Sequence, residues 1–205
     1  MTDTPDLLLG LIGDNIAKSR SPLLHRIAGQ QNGITVRYDR LVPKDMEMDF
    51  DAVFDYAKTN GYRGINITYP YKERVWPKLV SDDPLVKAIG ACNTALFDAD
   101  GIKGQNTDYT GFVAAYRNVR GEAAPGVVTL IGTGGVGRAI AFGLIALEAE
   151  EIRLVGKDLV KAEGLAADRR GTGAVTRVVI ETVAETAAEG ANGVINATPV
   201  GMVGY

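Results

Sequence analysis

The sequence is poor in the residues that staple or metallate small proteins. Among 205 residues there is one cysteine, Cys92, and one histidine, His25. A single cysteine excludes an intrachain disulfide framework and a cysteine-based zinc cluster, and it fits a reducing compartment. His25 sits in a helical pattern beside Leu24 and Ile27, with no neighbour that completes a triad or a metal site, so it reads as structural. No run approaches the ~18 apolar residues of a membrane helix. The start of the chain carries Asp3, Pro5 and Asp6 rather than the basic opening of a signal peptide. Positive charge is not in excess: 22 Lys and Arg against 25 Asp and Glu give a net charge of −3, which argues against a nucleic-acid or anionic-membrane surface. Internal repeats and low-complexity tracts are missing. These absences predict a soluble, cytoplasmic protein that binds no metal.

What is abundant is glycine, at 25 residues, where average usage is about 7%. The glycines stand at the ends of apolar runs, where a chain needs positive φ or close backbone approach. The runs themselves predict alternating strands and helices. Leu7 to Ile12 reads as a buried strand closed by Gly13. Ser21-Pro22 opens a helix with Ser21 as N-cap and Leu23, Leu24 and Ile27 as its apolar side. Strands follow over 36–42 and 64–68, with a helix over 51–59 between them; Ile65 and Ile67 share one face of the later strand, and Asn66 and Thr68 the other. Two further runs, 92–97 and 101–104, predict a hairpin turning at 98–101. Thr107 or Asp108 caps a helix running to about Arg120.

After the 121–126 connection the pattern becomes strictly alternating. Strands are expected over 127–131, 151–155, 175–180 and 193–196, with helices to about Glu148, over 159–169 and over 182–189. Continuous apolar strands between helices mean a parallel sheet buried on both faces. The expected architecture is α/β: an N-terminal α/β domain over 1–106, then a doubly wound domain over 107–205, which the motifs below make a substrate domain and a Rossmann-type dinucleotide-binding domain.

Gly132, Gly134 and Gly137 satisfy G-x-G-x-x-G between a predicted strand and a predicted helix. With Gly135 and Val136 they form a loop whose backbone can cradle a pyrophosphate at a helix N-terminus. The alternative is a βα turn that needs glycine for geometry alone. Asp158 lies 21 residues after Gly137, where an acid would hydrogen-bond an adenosine ribose and favour NAD; Lys157 beside it could instead meet the 2′-phosphate of NADP. The alternative for both is an exposed charged turn.

The first half carries polar clusters at strand ends and turns: Ser19-Arg20-Ser21-Pro22, 66–72 ending in Lys72, 90–94 containing Asn93, and 104–108 ending in Asp108. Short hydroxyls and amides suit a polyhydroxylated ring, and a lysine beside a carboxylate can relay a proton. Each has a bland alternative: Ser19 and Ser21 as helix caps, Asn66 and Thr68 as the wet face of a strand, Lys72 as a surface lysine, Asn93 as a turn former, Asp108 as an N-cap.

Taken in order, S-x-S-P, N-x-T-x-P-x-K, G-A-x-N-T, G-x-N-T-D, G-x-G-G-x-G-R-A (132–139) and N-A-T-P-x-G-M (196–202) resemble the shikimate dehydrogenase family. The resemblance implies reversible reduction of 3-dehydroshikimate to shikimate with NADP or NAD. It implies that Ser19 and Ser21 hold the substrate carboxylate, and that Thr68, Asn93 and Asp108 bind ring hydroxyls while Asn66 shapes the pocket. Lys72 and Asp108 would flank the reacting hydroxyl, and Thr198 and Met202 would lie near the nicotinamide. Monomers and homodimers both fit.

Three features depart from the family pattern. Gly156-Lys157-Asp158 stands where NADP-dependent members carry Asn-Arg-Thr, which points towards the NAD-leaning quinate/shikimate branch. Ser21 stands where that branch tends to have threonine, which points back to shikimate. Family members also continue beyond the N-A-T-P-x-G-M strand into a helical segment with a substrate-binding glutamine, so the dinucleotide-binding domain is expected to be truncated here. Quinate or aminoshikimate dehydrogenases, and a non-catalytic dinucleotide-binding module, are the alternatives.

Overall fold

The computed structural model describes residues 4–170 and 174–201, without the side chains of Arg169 and Arg170. The chain forms two compact units, one comprising the residues up to 86 with 90–105, the other comprising 87–89 and the residues from 106 onward.

In the first unit, β1 (Leu7–Ile12), α1 (Ser21–Gln31), β2 (Val36–Leu41), α2 (Phe50–Thr59) and β3 (Gly64–Ile67) are followed by a 3-10 turn (Trp76–Lys78), α3 (Pro84–Ile89, whose second half is counted with the other unit), β4 (Thr94–Asp98) and β5 (Gly101–Gln105). Among the described residues the sheet has the order β2-β1-β3-β4-β5. β1 runs parallel to β2 and to β3, whereas β3, β4 and β5 pair antiparallel, with Asp98 opposite Gly101 at the hairpin turn. The chain leaves β1 towards one side and returns through β3 on the other. Open α/β sheets bind ligands at the carboxyl ends of strands where the order reverses in this way. α2 buries Phe50, Val53, Phe54 and Ala57 at helical spacing against Ile12, Ile65 and Ile67. Full burial of each large apolar side chain stabilises by roughly 1.5–3 kcal/mol. Asp49 caps α2 by accepting a hydrogen bond from Ala52 N at 2.8 Å.

α1 differs from its expectation. Arg20, not Ser21, holds the N-cap position; Ser21 is already helical, and Ser19 Oγ accepts from Ser21 N at 3.2 Å. The buried positions of α1 are Pro22 and Gly29, while Leu23, Leu24 and Ile27 are exposed. The close approach of α1 to β2 through the small Gly29, whose added Cβ would lie 2.5 Å from Val36 Cγ2, orients the helix by that contact instead of by its leucines.

In the second unit, α4 (Thr107–Arg120), β6 (Val127–Ile131), α5 (Gly135–Ala146), β7 (Glu151–Val155), α6 (Leu159–Arg170), β8 (Arg177–Glu181), α7 (Ala184–Ala188) and β9 (Gly193–Asn196) build an all-parallel sheet of order β8-β7-β6-β9. That order is the doubly wound arrangement of dinucleotide-binding sheets, with its reversal between β6 and β9. Leu130, Ile152 and Leu154 are fully buried in it, as continuous apolar runs require. Neither candidate caps α4. Asn106 does, its Oδ1 accepting from Asp108 N at 3.1 Å and from Tyr109 N at 3.2 Å.

Candidate active site

The polar clusters of the first unit gather at the carboxyl ends of β1 and β3. Thr68 N donates to Ile12 O at 2.9 Å and Asp14 N to Tyr69 O at 3.4 Å, so the loop after β1 runs alongside the loop after β3. Tyr71 ties the two more firmly. Its hydroxyl donates to Asp14 Oδ1 at 2.5 Å while its ring stacks on Phe50 with centroids 4.6 Å apart. Burial, then the Asp14 carboxylate, pushes the Tyr71 phenol up to about 12, so it remains a neutral donor at physiological pH. Lys72 follows directly. It is half-buried rather than splayed into solvent, and its carbonyl accepts from Cys92 N at 2.9 Å, which joins its turn to the 90–94 segment.

Asn93 is brought to the same strand end: its carbonyl accepts from Ile67 N at 2.8 Å. Asn66 Nδ2 reaches that carbonyl at 3.4 Å and Thr94 Oγ1 at 3.1 Å, and Thr94 Oγ1 donates to Asn93 Oδ1 at 3.1 Å. Ser19 and Ser21 are half-buried and adjacent, with Ser19 Oγ donating to Ser21 Oγ at 3.1 Å. Arg40 fixes the Ser19 carbonyl at 2.8 Å. Within the first unit, Ser19 and Ser21 thus stand on the loop after β1, Thr68 and Lys72 on the loop after β3, and Asn66 on β3 beside Asn93. Asp108 belongs to the second unit, in the first turn of α4.

Sequence reasoning missed Tyr38. It is 8% exposed on β2, packs against His25 in a tilted pair with centroids 4.6 Å apart, and donates from its hydroxyl to Asn66 Oδ1 at 2.8 Å. A buried tyrosine on a strand signals that its O–H has a buried partner. The partner lies 28 residues away, beyond the reach of any local pattern. His25 itself is structural, its Nδ1 2.9 Å from Ser21 O. Cys92 is fully buried, and burial pushes its thiol up to about 12.

In the second unit the Gly-rich loop leaves β6 at the reversal point. Gly132 adopts φ 107° and donates its N–H to Val155 O at 2.7 Å. A Cβ on Gly137 would lie 2.0 Å from Gly132 O, so only glycine lets α5 begin this close to the strand. Gly134 is the N-cap of α5 and offers no side-chain cap; Gly135 and Val136 are its first helical residues. The first N–H groups of α5 therefore have no side-chain acceptor from the cap, the condition for an anion-binding helix terminus. This geometry fits a dinucleotide pyrophosphate. The loop after β9 closes the other side: Asn196 Oδ1 accepts from Thr198 N at 2.9 Å and Thr198 Oγ1 at 2.6 Å, and Asn196 Nδ2 donates to Val200 O at 3.2 Å. A Cβ on Gly132 would lie 2.8 Å from Thr198 Cγ2, so Thr198 flanks the glycine loop. Met202 lies outside the described residues. At the end of β7, Lys157 and Asp158 are exposed, and Asp158 heads α6, its Oδ1 accepting from Lys161 N at 3.1 Å.

Comparison with known proteins resolves what this arrangement is. Residues 11–95 match the family model of the shikimate dehydrogenase substrate binding domain. A quinate/shikimate dehydrogenase (NAD(+)) of Corynebacterium efficiens is 35% identical over 97% of this chain and 72% of its own length. The chain belongs to the shikimate/quinate dehydrogenase family. A shikimate dehydrogenase (NADP(+)) of Natronomonas pharaonis is also 35% identical, over 94% of this chain and 69% of the relative. Among solved structures, quinate dehydrogenase from Corynebacterium glutamicum in complex with NAD superposes with a TM-score of 0.81 at 32% identity, covering 96% of this chain and 72% of that one. Shikimate 5-dehydrogenase from Thermus thermophilus, in complex with NADP(H) and shikimate, gives 0.75 at 27%, over 94% and 69%. The α/β architecture with a Rossmann-type dinucleotide-binding sheet is that of the family. Among the described residues no helix is long and apolar enough to cross a membrane, and no group of His, Cys, Asp and Glu could hold a metal ion.

Proposed function

We propose that the chain is an NAD(P)-dependent dehydrogenase that interconverts 3-dehydroshikimate and shikimate, with quinate as the alternative substrate. One observation carries this reading: S-x-S-P and N-x-T-x-P-x-K follow β1 and β3, and G-x-G-G-x-G and N-A-T-P follow β6 and β9, in each unit the two parallel strands where the sheet reverses and where open α/β sheets bind ligands. In this reading residues 1–106 form the substrate-binding catalytic domain and 107–205 the dinucleotide-binding domain.

Ser19 and Ser21 hold the substrate carboxylate by hydroxyl donation; Thr68, Asn93 and Asp108 hold ring hydroxyls. When bound, the nicotinamide supplies the hydride to the ring ketone or accepts it from the alcohol. Hydride arriving on carbon leaves negative charge on oxygen, and the Lys72 ammonium stabilises that charge and delivers the proton. In the oxidative direction Lys72 takes the proton from the hydroxyl, with Asp108 as its partner. Gly132, Gly134, Gly135, Val136 and Gly137 cradle the pyrophosphate, and Thr198 lies near the nicotinamide. Asp158 favours NAD, because a carboxylate repels a 2′-phosphate; Lys157 offsets this in part. On composition we place the enzyme in the cytoplasm, as a monomer or homodimer. Steady-state rates with shikimate and quinate, each against NAD and NADP, test the reading; absence of turnover in all four combinations contradicts it.

A further inference from the structure

Four side chains of the first unit form a hydrogen-bond chain whose direction the geometry determines. A backbone carbonyl only accepts, so the end of the Asn66 amide that reaches Asn93 O is its NH2 group. Asn66 Oδ1 therefore faces Tyr38, and the phenol must be the donor of that 2.8 Å bond. On the other side Asn66 Nδ2 donates to Thr94 Oγ1, and the single hydroxyl proton of Thr94 goes on to Asn93 Oδ1. Each donor points the same way: Tyr38 to Asn66, Asn66 to Thr94, Thr94 to Asn93. Aligned bonds of this kind polarise one another. The consequence falls on Asn93. Its carbonyl end is committed to Thr94, so its NH2 end is the one turned away from Thr94. Burial pushes the Tyr38 phenol up to about 12, which keeps its proton in place at physiological pH.

We infer that Tyr38, Asn66 and Thr94 are positioning residues that orient the Asn93 amide, so that it meets the substrate ring as a donor. The inference rests on the functional reading above and deepens it. Both protons of the Asn66 NH2 group are used on Thr94 and on the Asn93 carbonyl, so Asn66 acts through Asn93 rather than on the substrate. A chain of this kind specifies a polyol with hydrogen-bond acceptors on its ring, and it leaves cofactor binding to the other unit.

The test compares Tyr38→Phe, Thr94→Val, their double variant and Thr94→Ser. Tyr38→Phe keeps the ring that packs on His25 and deletes only the donor. Each of the first two is expected to raise the substrate KM about tenfold, the scale of one hydrogen bond to a committed partner. The double variant should match either single one, because both cut the same chain. Thr94→Ser should restore wild-type values, and cofactor KM and kcat should move less than about twofold in all. In the substrate-free protein, the Asn93 side-chain amide resonances (assigned by their loss in Asn93→Asp) should shift in Tyr38→Phe and in Thr94→Val but not in Thr94→Ser. A folded Tyr38→Phe or Thr94→Val protein with unmoved resonances overturns the relay, as does an unchanged substrate KM or a cofactor KM that rises equally. If the wild type turns over neither shikimate nor quinate, the functional reading fails, and the resonances alone decide the relay. If Tyr38→Phe does not fold, the half-buried Thr94→Val carries the same comparison.

Discussion

The two units solve the same problem by opposite means. Each must hold a ligand-binding loop open at the carboxyl ends of parallel strands. In the second unit the loop is shaped by what is missing: side chains at Gly132 and Gly137 would strike Thr198 and the Gly132 carbonyl. In the first unit the loops are shaped by what is present: Tyr71 on Asp14, Tyr38 on Asn66, and Thr94 on Asn93. A pyrophosphate needs only backbone N–H groups and a helix terminus, so sterics suffice. A substituted ring has to be read hydroxyl by hydroxyl, and that takes oriented side chains.

The sharpest break of this contrast is Lys72→Ala. It should lower kcat at least ~10²-fold with a much smaller change in KM, as loss of a general acid–base does; an unchanged kcat in the folded variant removes Lys72 from the chemistry. Gly137→Ala should act on the other unit through packing. The added methyl would lie 2.0 Å from a carbonyl oxygen that cannot rotate away. Overpacking of about 1–3 kcal/mol or more should lower Tm and cofactor affinity together. Calorimetry and cofactor titration read both, and wild-type values would mean that the close approach is not required.

Changing Ser19 and Ser21 together to Ala should raise substrate KM by loss of two hydrogen bonds, each about 0.5–1.5 kcal/mol net or more to a charged acceptor. Cofactor KM should hold. Equal substrate affinity before and after would return both serines to a purely local role in the turn before α1. In the second unit, Glu151 is buried between Arg153 and Arg177, and hydrogen bonding from Arg153 foremost holds its carboxyl below the usual carboxylate range. A depressed folded-state pKa contributes stability above the unfolded value and loses it as pH falls through the folded one. Acid titration of Tm should therefore show a loss below the ordinary carboxylate range that Glu151→Gln reduces; an identical acid slope in the variant contradicts it. The smallest effect is expected at Cys92. With its thiol pushed up to about 12, alkylation of the native protein at neutral pH should be negligible until unfolding exposes it.

The same contrast explains what could be read from the sequence. Gly132, Gly134 and Gly137 are legible because a steric demand leaves a mark at fixed spacing, and β6, β7 and β9 stand where their apolar runs predict. α3 and the 3-10 turn before it leave no such mark in short segments broken by Pro77 and Pro84. The caps of α1 and α4 fall one or two positions before those expected. Ser19, Ser21, Asn106, Thr107 and Asp108 all have side chains able to cap, and only the backbone turn decides between them. Tyr38 is invisible as a site residue because its function lies in a partner on another strand. Asp158 stays double-edged: its carboxylate heads α6, and that role is compatible with a second one towards a ribose.

At Asp158 the choice of substrate and the choice of cofactor can be read in one set of rates. Initial rates with shikimate and with quinate, each against NAD and NADP at fixed salt, are to be compared between the wild type and Asp158→Ser. The expected result is turnover of at least one of the two acids, with NAD used at least as well as NADP, and a shift of kcat/KM towards NADP in the variant. The shift should be about 1.5–3 kcal/mol, the scale of a charged hydrogen bond. No turnover with either acid contradicts the assignment of function, and a strong wild-type preference for NADP that Asp158→Ser leaves unmoved contradicts the role of Asp158 in choosing the cofactor.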